Sequence, residues 1–102
     1  MNNKKKCDIL RAARESEYAI TYYKALEVFG ELKKNYGDYM ISEPIDYATE
    51  FERIPEADYE LCCAILSMIL CEGNPLLKLS HPEVVRKIVD RMIELLESNA
   101  TC

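Results

Sequence analysis

Few side chains in this 102-residue chain could act as nucleophile, base or metal ligand. His81 is the sole histidine and stands between Ser80 and Pro82, where a polar residue at a helix start is its simplest role. A Cys–His nucleophile pair would need Cys71 or another thiol beside it, and no such arrangement is marked. Cys62, Cys63, Cys71 and His81 lack the paired short spacing of zinc ligands, and adjacent cysteines on a helix point away from a common metal. Gly30, Gly37 and Gly73 are isolated from one another, so no phosphate-cradling loop is present. Acids crowd residues 38 to 60, and paired carboxylates can serve as general acid and base. A run of charge, however, more commonly forms a solvated face. The expectation is a non-enzymatic protein without catalytic residues, cofactor or metal.

The charge is unevenly spread, which points to binding rather than catalysis. Net charge is −5. Residues 1 to 14 hold five bases and one acid, for +4, whereas residues 38 to 60 hold eight acids against Arg53 alone, for −7. Opposite charge on a partner would raise the association rate and make it fall with salt. Glu43, Asp46, Glu50 and Glu52 are therefore the candidate partner-binding residues. The expected partner is another protein, with a homo-oligomer left open and no membrane involved. A nucleic-acid-linked role is the alternative, through an acidic face competing for a nucleic-acid-binding protein or weak direct binding by the basic N-terminus. Direct binding is disfavoured because phosphate contacts need clustered Lys and Arg, and Glu83, Asp90, Glu94 and Glu97 balance the last helix.

The element that must position these residues is the run Tyr59 to Cys71, in which Leu61 to Cys71 contains a single polar side chain, Ser67. Such a run can be a buried strand or a buried helix. Leu, Ala and Met are good helix formers and only the two Ile are β-branched, which favours helix. Pro55, Glu56 and Asp58 suit a helix N-terminus, and Gly73-Asn74-Pro75 suits its end, with Gly73 in a left-handed conformation. The predicted helix runs from about Ala57 to Glu72. It is too short to cross a bilayer, which takes about 20 apolar residues, so other helices must surround it.

Those helices are legible on either side. Tyr18, Tyr22, Ala25, Phe29, Leu32 and Tyr36 recur at steps of four and three, predicting one helix to Tyr36 with Gly37 as its left-handed cap. Tyr22 and Tyr23 cannot both face one core, which leaves one ring for a partner. Val85, Ile88, Val89, Met92, Ile93 and Leu96 predict a second helix from about Pro82 to Ser98. Residues 38 to 55 read as a short helix with Ser42 as N-cap and Pro44 in its first turn, or as a hairpin around Glu43-Pro44. The helix is preferred, because a lone hairpin is poorly stable. Residues 1 to 6 have nothing to bury and are expected to form a mobile basic tail before a single helical domain at 7 to 102. Five cysteines, two of them adjacent in the most apolar segment, and no signal peptide predict reduced, shielded thiols in the cytoplasm.

The segments Y-M-I-S-E-P-I-D-Y, P-E-A-D-Y-E-L-C-C-A-I-L-S-M-I-L and E-V-V-R-K-I-V-D-R-M-I-E-L-L resemble a family of small bacterial proteins known as domain of unknown function 6508, over about residues 36 to 97. The chain departs from it after the central helix. Cys71 stands where an arginine is expected, and Gly73-Asn74-Pro75-Leu76-Leu77 replaces a longer Phe- and Gly-containing turn. The resemblance implies a bacterial, mostly helical domain and no assigned activity. The chain is thus expected to be a small all-α bundle of three to five helices around the helix at about 57 to 72.

Overall fold

The computed structural model describes residues 2–74 and 76–100. Five α-helices lie among them: α1 (Asn3–Ala13), α2 (Ala19–Phe29), α3 (Tyr47–Phe51), α4 (Tyr59–Glu72) and α5 (Pro82–Ala100), with 3-10 turns at Tyr36–Tyr39 and Ile54–Glu56. No strand occurs among the described residues, so the fold is all-α and the hairpin alternative falls.

The central helix is where the apolar run requires it. The Asp58 side chain accepts the Leu61 amide at 2.8 Å and starts α4 two residues later than expected, because Ala57 remains extended after the 3-10 turn that contains Pro55. Every residue from Cys62 to Leu70 is buried. α5 and α2 both pack on this helix, and the 3-10 turn at Tyr36–Tyr39 covers a further side. Gly73 ends α4 in an extended conformation, not the left-handed one expected, and Pro75 of the expected stop lies outside the described residues.

α5 contributes Val85, Ile88, Val89, Met92 and Leu96 to the core, the predicted face. Its other neighbour is α1, whose Cys7, Leu10 and Ala13 are buried. The Arg14 guanidinium grips Asp90 through two bonds of 2.9 and 3.0 Å, and Arg11 pairs with Glu97. These pairs are largely exposed and fix register more than they stabilise.

Three expectations need correction. Of the expected mobile tail, Met1 lies outside the described residues and residues 2 to 6 form the N-cap and first turn of α1: Asn2 caps it by accepting the Lys5 amide at 2.8 Å, and the Lys6 ammonium pairs with Glu31 while lying 5.7 Å from the Phe29 and Tyr59 ring centres. The Tyr18 to Tyr36 helix ends at Phe29. Gly30, not Gly37, takes the left-handed conformation, at φ 71°, and the Glu31 amide closes the turn on the Leu26 carbonyl at 2.9 Å. The short helix expected near Pro44 begins at Tyr47 with Asp46 as its cap, because the Ser42 side chain is engaged elsewhere.

The early stop of α2 is stabilised by the one polar residue of the central run. Ser67, fully buried, accepts the Lys33 amide at 2.9 Å and donates its own proton to the Cys63 carbonyl at 2.6 Å. The segment after Gly30 is thereby fastened to α4. Of the adjacent tyrosines, Tyr22 is buried with its hydroxyl donating to the Ser16 carbonyl at 2.9 Å, while Tyr23 is only partly covered.

Cys7, Cys62 and Cys63 are buried free thiols, whereas Cys71, expected to be shielded, is exposed; Cys102 lies outside the described residues. Burial pushes the Cys62 thiol up to about 11, and burial together with the Glu31 carboxylate pushes Cys63 higher still. Partial burial raises the Cys71 thiol above its ordinary value, yet as the exposed one of the four it should be the first to react with a colorimetric disulfide reagent in the native protein at about pH 8. Cys7, Cys62 and Cys63 should react only on denaturation. Rapid native labelling of Cys62 or Cys63, read by mass spectrometry, would contradict this packing.

Ile65 sits at the middle of α4 with no exposure. Ile65→Asp would bury an unpaired charge and cost several kcal/mol, a large part of the roughly 5–15 kcal/mol that holds a small domain folded. The expected outcome is loss of a cooperative thermal transition, and an unchanged Tm would refute the central-helix arrangement.

Candidate functional site

Residues 39 to 53 are built around one buried carboxylate. Glu50, on the inner side of α3, has no exposed surface. It accepts the Ile41 amide at 3.2 Å, the Ser42 amide at 2.9 Å, the Ser42 hydroxyl, and Arg53 Nη1 at 2.6 Å. Arg53 also donates to the Tyr39 carbonyl at 3.0 Å. The Ser42 oxygen in turn accepts the Asp46 amide at 2.9 Å, and the Asp46 carboxylate caps α3 on the Thr49 amide and hydroxyl at 3.2 and 2.6 Å. Burial alone would raise the Glu50 pKa. The bonds from the Ser42 hydroxyl and amide, Arg53 and the Ile41 amide outweigh it, so Glu50 is held below its ordinary value and charged. An excursion with no periodic pattern is thus fixed from inside.

Of the four acids singled out from the sequence, Glu43, Asp46 and Glu52 are exposed and Glu50 is not. Glu50 cannot contact a partner: it is the clamp of the loop that carries Glu43, and Asp46 is its helix cap. Glu56, also exposed, joins Glu43 and Glu52 as a carboxylate without an ion pair among the described residues.

The clamp also displays something the sequence did not suggest. Ile41 is 67% exposed, although its own amide is held by Glu50. With Leu61 at the first turn of α4, Ile41 contributes the apolar lining of a groove of about 400 Å³, edged by Thr49, Glu52, Arg53 and Glu56. On the other side of Glu52 a groove of about 690 Å³ separates α3 from α5, with Phe51, Ile54 and Pro55 facing Lys87 and Arg91. Ile41 lies outside any helical stripe and Leu61 belongs to a run that reads as core, so no periodicity could have brought them together.

The remaining chemistry-bearing groups serve the fold. His81 packs edge-on against Tyr47 and Phe51, at 5.4 and 5.3 Å between ring centres. Tyr47 and Tyr36 both donate to Glu72, Tyr36 at 3.4 Å. Burial, then Glu72, pushes the Tyr47 phenol far up, so it is a donor and not a base. Among the described residues no group of three or more His, Cys, Asp and Glu gathers where a metal ion could be held. No described helix is long and apolar enough to cross a membrane.

The chain matches no family model, no curated protein and no solved structure. Its side chains alone carry the functional reading.

Because the folded pKa of Glu50 is depressed, its contribution to stability is complete above the unfolded value of about 4.3 and is lost as pH falls through the folded one. Glu50→Gln should cost about 1–3 kcal/mol at neutral pH, the penalty for leaving buried partners poorly matched. The Tm gap between the two proteins should narrow as the solution is acidified below about pH 4. A gap that stays constant would show that Glu50 is not a charged clamp.

Proposed function

We propose that the protein is a small non-enzymatic binding module of the cytoplasm that presents its acidic face to a basic partner protein. The observation that carries this reading is the clamp. A solubilising acidic segment needs only exposure, whereas here a buried carboxylate with four hydrogen-bonding groups holds Ile41 outward and Glu43 on a fixed loop. Ordering the contact surface before the partner arrives lowers the entropy cost of binding. The buried free thiols are in keeping with a reducing compartment.

Direct nucleic-acid binding receives less support. Lys6, Arg11 and Arg14 are engaged by Glu31, Glu97 and Asp90, so of the five N-terminal bases only Lys4 and Lys5 have no acid partner among the described residues.

The test reverses Glu43, Glu52 and Glu56 to Lys, sparing Asp46 and Glu50 because they hold the fold. With circular dichroism unchanged, the triple variant should lose the proteins that the wild type retains from a nuclease-treated bacterial lysate, and wild-type retention should weaken with salt. The same proteins held by both, with the same salt dependence, would refute an electrostatic partner face.

A further inference from the structure

We infer that the groove between Ile41 and Leu61 receives a cationic amphipathic helix of the partner, whose apolar stripe covers Ile41 while its Lys or Arg residues lie over Glu52 and Glu56. This inference rests on the proposed function and narrows it to one site and one class of ligand.

Charge selects this groove over its larger neighbour. Between α3 and α5, Arg91 is paired with Glu94 and Asp90 with Arg14, which leaves Lys87 as a cation without an ion pair among the described residues, set to repel a basic occupant. In the Ile41 groove the only cation is Arg53, and its guanidinium is committed to Glu50 and the Tyr39 carbonyl. Glu52 and Glu56 line the groove without an ion pair among the described residues. An occupant must bring positive charge and an apolar side.

The backbone selects a helix over an extended peptide. An extended segment binds through main-chain bonds to an open strand edge, and the described residues contain no strand. The Ile41 and Ser42 amides, next to the groove, are already given to Glu50. A helix satisfies its own backbone and needs only a place for side chains at i, i+3 and i+4. A volume of about 400 Å³ is at the small end of ligand sites and suits a few aliphatic side chains rather than a cofactor.

The probe is a labelled synthetic 18-residue Lys/Leu peptide with its leucines on one helical face, compared by fluorescence anisotropy with a scrambled peptide of the same composition. Wild type should bind the amphipathic peptide at least tenfold more tightly than the scrambled one. Ile41→Ser, an exposed substitution whose Tm serves as the folding control, should abolish that preference while leaving weak, salt-sensitive binding of both. Glu52→Lys with Glu56→Lys should weaken both. Amide shifts on titration should centre on Ile41, Thr49 and Leu61. Equal affinity for the two peptides, or a preference that survives Ile41→Ser, would overturn the inference. If the lysate partner is nevertheless lost on acidic charge reversal, the binding module stands without this groove; if neither effect is seen, both readings fall.

Discussion

A helix that is apolar on every side cannot face water, and the burial of α4 is the constraint to which the other elements answer. Cys62 to Leu70 are all buried, so α5, α2 and the Tyr36–Tyr39 turn must each cover part of its circumference. An element of this kind tolerates little variation in its neighbours, since an uncovered sector would expose several aliphatic side chains at about 25 cal/mol per Å². α1 then extends the core along α5, where Leu10 and Cys7 are buried.

Helices alone do not cover α4, and the connections that complete the shell are irregular. Their backbone groups need partners, and two buried polar side chains supply them: Ser67 holds the segment after α2, and Glu50 holds the loop before α3. Each is a buried polar group, costly unless its bonds are made. In both cases backbone amides are among the partners, which turns a solvation cost into a positional restraint. Lys6 acts in the same sense from outside, pairing with Glu31 just past the left-handed Gly30.

The same device explains why the acidic face is more than a charged surface. Glu50, a member of the acidic run by composition, is withdrawn from it to fix the loop, and Ile41 is pushed outward as a result. In the proposed binding module, fixed apolar and acidic groups side by side would discriminate among basic partners more sharply than scattered surface carboxylates.

What the sequence determined by itself follows from repeating patterns. The apolar run, the stripe from Val85 to Leu96, the stop near Gly73 and the start at Pro82 specify a central helix, a C-terminal helix and an all-α class, because burial of a helical face depends only on spacing. What it did not determine are the single-residue choices. Whether Gly30 or Gly37 ends α2 depends on whether the following amide finds Ser67, thirty-four residues away from Lys33. Whether Glu50 is a surface charge or a clamp depends on Ser42, Ile41 and Arg53 converging on it, and a charge run carries no mark of which member will be buried. The groove between Ile41 and Leu61 shares that origin: the two are twenty residues apart and follow no common period, so only the packing of the loop against α4 makes them neighbours.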